Sequence, residues 1–559
     1  MSRWIWWVIW PAVVAAVIYF IYWLIAGLWL DALAINIVNM NAFWHWALWP
    51  NGWNLIATTP FAWILASIIL IIAFWIWGGM TDWNGIVPVV AIIASVVLLV
   101  GSIVYGGIKL ANKDIEASKH YLTTTSFAVD DPNTLPEILA EKADEGQLVV
   151  PIKQADVPAD WAPRVASATG ALTVIKKSGS GGNNAPVMEQ TVSYVYGDGD
   201  SGKWTVIRNG RNLKSIYGVA SWNGVAGAVE TCKFTDDYKL DKAFGGIAGN
   251  NLSNSIAGAF PSFYYDEADM WGYCKGEEPI IVIPGVNHQG FDVRTVDNAA
   301  GVVVVQGSPS GQPIITLRSD VKPGEFPGPV YAQSLVNNQR DSLTWAAGFG
   351  PAVGEGFGFE TTSVKSQSGN NANYLLKSKV DGRMYWVNPL QARQSDSELL
   401  IGYSLIPADE VTSGTLNPQT VYVLSDGDPR VIDLNTLYNS VKTAVCVENN
   451  NFCGEEGVAT GEIVEFLPIS ATKWQAFGEV DGQVYYRFEV DVDSSIVPTM
   501  TVVAGAPTDA TLDGAEPGPT PTPVADGALD CNSESTLTSE QILQCIANLA
   551  GELKTRADK

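Results

Sequence analysis

The sequence predicts an α+β protein: an N-terminal bundle of about three transmembrane helices, a β-dominated extracytoplasmic body and a small C-terminal helical module. Three observations predict it. The first is charge: the 559 residues carry 58 acidic and 33 basic side chains, a net −25. Residues 1–110 hold only Arg3, Asp31, Asp82 and Lys109, which leaves 56 acids and 31 bases, and so all of the −25, to the remainder. The second is the apolar character of that head, and the third is a long succession of β-patterned segments after it. A chain this acidic is a poor partner for nucleic acid, because that binding rests on Lys and Arg neutralising phosphates.

The head (1–110) contains apolar stretches at 4–30, 55–77 and 86–110, and a span needs about 20 apolar residues. No Asp, Glu, Lys or Arg lies within them except Lys109 at the end of the third, which disfavours a pump or transporter, where such groups mark the pathway. Tryptophans gather near the ends of the stretches: Trp4, Trp6, Trp7 and Trp10, then Trp44, Trp46, Trp49 and Trp53, then Trp75, Trp77 and Trp83. Tryptophan favours the membrane interface, so these are the expected interface anchors, with the lipid bilayer as partner. Residues 32–54, rich in Asn and Trp, suit an interfacial or re-entrant segment. The Ala32-Leu33-Ala34 triplet resembles a cleavage site, but the preceding run is too long for a signal peptide and two more follow.

Orientation rests on conflicting signals. Arg3 places the N-terminus in the cytoplasm, whereas Lys109, Lys113 and Lys119 pull the other end inward. The cysteines tip the balance. All six lie beyond the head, as Cys232/Cys274, Cys446/Cys453 and Cys531/Cys545, and an even number in one part of the chain reads as disulfides in an oxidising compartment. Sequential pairing is the expectation, with the body outside a cell membrane crossed several times. A cytosolic body with free thiols is the alternative, and it accounts better for the lysines.

After a stalk at 111–130, the body divides into a first part (131–347) and a β-rich second part (348–503). The expected helices are 136–144, 238–247, 252–260, 331–346 and 434–445. The expected strands include 148–152, 171–177, 187–196, 203–208, 279–283, 302–306 and 313–318, rich in Val, Thr and Tyr and separated by turn residues. Asp381-Gly382 and Asp481-Gly482 each predict a β-hairpin with a type I′ turn. Their surroundings, KVDGRMYW and EVDGQVYY, are alike, which hints at duplication, although hairpin chemistry alone suffices. A Pro/Thr-rich linker (504–530) leads to the module at 531–559, a short amphipathic helix with a docking character or a mobile tail.

Chemical motifs are sparse. Gly197–Lys203 has the spacing of a phosphate-binding loop, but Trp204 replaces the hydroxyl residue and the setting is a hairpin. The pairs Asp198/Asp200 and Asp426/Asp428 are low-ranking calcium ligands without the further oxygens such a site needs. Histidine is limited to His45, His120 and His288, which disfavours Ser-His-Asp and zinc chemistry, and no metal or cofactor is expected. Asp266, Glu267 and Asp269, set among Tyr264, Tyr265, Trp271 and Tyr273, are the candidate catalytic carboxylates, since acids beside aromatics suit carbohydrate binding or cleavage.

The segments 375–390 (LLKSKVDGRMYWVNPL), 403–411 (YSLIPADEV) and 269–274 (DMWGYC) resemble segments of large multi-spanning membrane proteins carried by bacteriophages of actinobacteria. The likeness in layout covers about residues 1–510. It implies a viral or mobile-element membrane protein and no mechanism. The functional expectation is a non-enzymatic membrane protein that presents an acidic, disulfide-bearing domain to a protein or glycan partner or modifies the envelope. A carboxylate-based envelope glycoside hydrolase and a subunit of a membrane complex are the alternatives.

Overall fold

A computed structural model describes residues 60–80, 86–111, 113–129, 150–153, 160–178, 186–197, 202–210, 215–224, 229–246, 248–291, 294–346, 358–361, 374–393, 400–424, 434–448, 461–470, 472–480, 483–491 and 495–502. The expected span 4–30, the 32–54 segment, every named tryptophan before Trp75, Trp83, the linker and the C-terminal module lie outside the described residues.

The chain enters through helices α1 (Pro60–Met80), α2 (Ile86–Ala111) and α3 (Lys113–Leu122), then strands β1 (Thr125–Val129) and β2 (Val150–Lys153) and helix α4 (Ala168–Ser178). Helices α1 and α2 pack against each other, and Trp75 is 66% exposed on α1. Among the described residues, however, no helix is long and apolar enough to cross a membrane. This finding overturns the three-span head and the multi-pass membrane location with an extracytoplasmic body.

The architecture is β-rich, with four blades in a propeller-like arrangement, and this replaces the α+β expectation. Blade 1 is β3 (Ser193–Tyr196), β4 (Gly202–Asn209), β5 (Ile216–Trp222) and β6 (Val229–Lys233), an antiparallel meander. After helix α5 (Leu252–Ala259), blade 2 is β7 (Trp271–Lys275), β8 (Glu278–Phe291), β9 (Arg294–Gln306) and β10 (Ile314–Arg318). Strand β11 (Asp320–Val321) and helix α6 (Gln333–Ser342) follow, then β12 (Phe359–Thr361). Blade 3 contains β13 (Tyr374–Lys377), β14 (Met384–Ala392), β15 (Leu400–Pro407) and β17 (Gln419–Val423), while β16 (Val411–Thr412) leaves it to pair with β11. Strands β1 and β2 extend blade 3 in parallel from β17, with Thr125 opposite Gln419. Helix α7 (Leu434–Glu448) leads to blade 4, made of β18 (Glu462–Pro468), β19 (Lys473–Val480), β20 (Gln483–Asp491) and β21 (Ser495–Val502).

One apolar cluster draws on all four blades, through Tyr194 and Trp204, Trp271 and Val302, Trp386 and Tyr403, and Trp474 and Phe488. Sheets that bury a face against one another in this way form a single core. Two extended segments tie the blades together. In the first, residues 327–331, alternate carbonyls accept from three blades: Pro327 O from Tyr196 N (2.7 Å), Pro329 O from Trp271 Nε1 (2.7 Å) and Tyr331 O from Trp386 Nε1 (3.0 Å). Proline keeps this strap extended and brings no N–H that would need a partner. In the second, residues 161–166, Trp161 N donates to Ile469 O, Ala162 N donates to Lys377 O, and Ala166 O accepts from Trp204 Nε1 (2.8 Å). Buried indole N–H groups thus serve as inter-blade ties.

Cys232 on β6 and Cys274 on β7 form a disulfide that joins blade 1 to blade 2. It is the one disulfide among the described residues; the side chains of Cys446, Cys453, Cys531 and Cys545 lie outside them. The expected framework of three bridges is corrected to that extent. Replacing both Cys232 and Cys274 by Ser is expected to lower stability by about 2–4 kcal/mol, read as a lower midpoint in denaturant unfolding.

Local expectations fare unevenly. Residues 171–177, expected as a strand, are helical within α4. Their Val, Thr and Ile content favours a strand, but the helix start is bonded both locally and from afar: Gly170 N donates to the neighbouring Ser167 Oγ (3.0 Å), and Ala168 N donates to the tertiary partner Glu465 Oε1 (2.7 Å). The Asp381-Gly382 hairpin exists, yet its loop spans residues 378–383, between β13 and β14, not a two-residue turn. Gly382 takes a left-handed φ of 73° there, while Asp381 accepts from Arg383 N and the Tyr385 hydroxyl. This hairpin joins the first and second strands of blade 3, whereas 480–483 joins the second and third of blade 4. The two DG segments are therefore not equivalent, and turn chemistry accounts for their likeness.

Candidate functional site

The blades converge on a cavity of about 140 Å³. Blade 1 contributes Tyr194 and Trp204, blade 2 Pro284 and, from the turn just before β7, Asp269. Blade 3 contributes Tyr374, Leu375 and Trp386, and blade 4 contributes Glu465. The straps add Arg164, Pro329 and Tyr331, and the helix starts add Ala168 and Gln333. The wall reaches the surface at Ala268, which is exposed.

Arg164 organises one side. Its guanidinium lies over the rings of Tyr194 (5.6 Å) and Trp204 (5.2 Å), an arrangement favoured by the negative face of an aromatic ring. Nη1 meets Glu465 Oε2 at 3.1 Å, and Nη2 donates to Leu375 O at 3.1 Å. Gln475 fixes the strap by accepting from Arg164 N and donating to Arg164 O. Both charged side chains are nearly sequestered, at 8% exposure for Arg164 and 4% for Glu465.

Glu465 reaches the cavity because its strand breaks regularity there. It sits at a β-bulge between Val464 and Leu467, with a left-handed φ of 55°. A bulge re-aims a side chain, and a non-glycine residue in this region carries backbone strain. Burial pushes the Glu465 carboxyl above its ordinary range, with Arg164 and the Ala168 N–H opposing the rise. Glu479, on the neighbouring strand, is pushed up to about 8 by burial and then by the negative charge of Glu465. Glu479 therefore favours its protonated form at neutral pH.

Asp269 occupies another part of the wall. Its Oδ1 accepts from Ser334 N (3.1 Å) and its Oδ2 from Ser334 Oγ (2.5 Å). Burial pushes its carboxyl up to about 6, and the two Ser334 bonds hold it from rising further. Asp269 thus serves the N-terminus of α6 as Glu465 serves that of α4, each carboxylate lying where the helix dipole favours an anion. The cavity's charges are answered locally: one guanidinium and two helix starts against two carboxylates. Burial also raises the phenols of Tyr194, Tyr331 and Tyr374, so they remain un-ionised at neutral pH.

Of the three candidate carboxylates, the structure brings only Asp269 into the cavity. Asp266 is exposed and caps the 267–269 turn by accepting from Ala268 N (2.9 Å), and Glu267 is half-buried within that turn. Among the surrounding aromatics, Trp271 ties β7 to Pro329, and Tyr265 bonds Ser253 Oγ. Asp198, Asp200, Asp426 and Asp428 lie outside the described residues, as does the side chain of His288 on β8. No cluster of His, Cys, Asp and Glu that could hold a metal ion occurs among the described residues.

Sequence reasoning missed Arg164, Glu465 and Glu479. The available signal was a lone charge inside an otherwise apolar stretch, WAPRVA, EIVEFLP or AFGEV. Its meaning depends on residues about 300 positions apart coming together. The packing around this group is tight: a Cβ added at Gly170 would collide with Val484 Cγ2 and stand 3.3 Å from Glu479 Oε1. Gly170→Ala is expected to cost about 1–3 kcal/mol through overpacking, measured as a lower denaturant midpoint.

Comparison with protein-family models, with curated proteins and with solved structures finds no match for this chain.

Proposed function

We propose that this chain is a non-enzymatic binding protein that holds a single uncharged sugar ring of a glycan in the cavity between its four blades. The observation that carries the reading is a shared cavity in which aromatic rings alternate with locally neutralised polar groups. Ring faces stack on the apolar side of a sugar, and carboxylate oxygens and the guanidinium exchange hydrogen bonds with hydroxyls. The cavity's 140 Å³ lies below the roughly 300–1,000 Å³ of sites for drug-sized ligands, which favours one ring over an extended chain. Its fixed charges are already paired, so a neutral ligand displaces no ion pair.

Hydrolysis is the weaker reading of the same site. Both oxygens of Asp269 are occupied by Ser334, and Asp266 and Glu267 lie on the turn outside. The test is saturation-transfer NMR of the full chain with methyl pyranosides of glucose, mannose and N-acetylglucosamine. Transfer to the ring protons of at least one, with no bond cleavage, is the expected result. Absence of transfer to all neutral pyranosides would overturn the proposal.

A further inference from the structure

We infer that Glu465 and Glu479 form a proton-operated lock on the α4 wall of the cavity, closed while Glu479 keeps its proton and released at alkaline pH. The inference adds regulation to the ligand site proposed above, but the lock itself requires no ligand.

Two carboxyls are buried against the first turn of α4, Glu465 at Ala168 N and Glu479 beside Gly170, and Arg164 pairs with Glu465. Glu479 is 3% exposed, and its Oε1 has no hydrogen-bond partner among the described residues. The groups facing the pair are Arg164 from the strap, Tyr374 from blade 3, Glu462 on β18 and the Ala168 and Gly170 N–H groups of α4. None of these supplies a second positive side chain. Ionising Glu479 would bury a negative charge on a carboxyl whose Oε1 has no hydrogen-bond partner among the described residues, and burial disfavours that form. Its bound proton therefore keeps both carboxyls in place against the start of α4. Ala168, whose N–H is held by Glu465, is itself part of the cavity wall, so loosening this helix start opens the site.

The sign follows from linkage. The folded-state carboxyl of Glu479, raised to about 8 from an ordinary 4.5, binds a proton that the unfolded chain has already lost. Stability contributed by that proton is complete below pH 4.5, declines as pH rises through the window to about 8, and stays lost above it.

The experiment is thermal unfolding of the full chain, without ligand, from pH 5 to pH 9 for wild type and Glu479→Gln, which imitates the protonated acid. The melting temperature of wild type should fall relative to the variant as pH rises, leaving the variant several degrees higher at pH 9. Hydrogen exchange in 164–178 should increase at pH 9 in wild type alone, after correction for the intrinsic rate. Curves separated by a constant offset at every pH would overturn the lock. A second readout needs no variant: the infrared carbonyl band of a buried protonated carboxylic acid should be present in wild type at pH 7 and lost by pH 9, and its absence at pH 7 would also overturn it. Because ligand takes no part, failure here leaves the sugar-binding proposal standing, and failure of sugar binding leaves the lock standing.

Discussion

Arg164→Ala lowers the stability of the chain by about 3–5 kcal/mol, the cost of leaving a buried carboxylate without its partner. Three ties are lost together: the 3.1 Å contact with Glu465, the bond to Leu375 O, and the packing over Tyr194 and Trp204. The loss joins the strap, blade 1, blade 3 and blade 4, so it should appear as a lower urea midpoint for the whole body and not as local fraying. Arg164→Met with Glu465→Gln provides the control, since removing both charges eliminates the unpaired one. The double variant should be less destabilised than the sum of the two singles, by about 1 kcal/mol or more for residues in direct contact. Additive effects would show that the pair does not act as a unit.

Trp271→Ala is expected to cost about 3–5 kcal/mol, the range for removing a fully buried aromatic side chain. Trp271 has 0% exposure, lies in the cluster common to all blades, and donates from Nε1 to Pro329 O at 2.7 Å. Its loss leaves a cavity beside the strap and an unpaired carbonyl in the strap itself. Trp271→Phe retains much of the volume and loses the donor, so it should fall between wild type and Ala. Equilibrium unfolding in urea measures both; an Ala variant within about 0.5 kcal/mol of wild type, the range of unremarkable surface changes, would count against a shared core.

The sequence made the local features legible to the extent that their causes were local. Alternating Val, Thr and Tyr marked the strands of blades 1 and 2, and the Asp381-Gly382 pair marked a hairpin whose Gly382 supplies the left-handed turn. The Cys232–Cys274 pair was visible as neighbouring cysteines and indeed forms the bridge between two blades. Features with distant causes were not legible. Residues 171–177 read as a strand because Ala-Leu-Thr-Val-Ile gives no hint that Glu465, nearly 300 positions later, holds the helix start. The apolar stretches of the head read as membrane spans because hydropathy registers composition, whereas the described α1 and α2 contain no helix meeting the length and apolarity of a span. The four-blade order was hidden for a related reason. Blade 3 is interrupted by the β16 excursion and widened by β1 and β2, which precede it by some 250 residues, so no regular repeat shows in the chain.

The same contrast applies to the site. Asp269 was noticed for its company of aromatics and does line the cavity, but it anchors Ser334 at a helix start. The residues that give the cavity its polar character, Arg164 and Glu465, have no motif around them. Their roles arise from a bulge that turns one strand residue inward and from a strap that crosses between blades.

The central claim, that the cavity between the blades receives the ligand, is tested most directly at its mouth. Ala268 is exposed, belongs to the cavity wall, and makes no side-chain tie between blades, so Ala268→Trp places a bulky ring over the opening while sparing the straps. Wild type and this variant are titrated with whichever methyl pyranoside gives the strongest NMR transfer. The prediction is at least a tenfold loss of affinity, equivalent to about 1.4 kcal/mol, with an unchanged melting temperature. Equal affinity for the two proteins would place the ligand elsewhere and contradict the account.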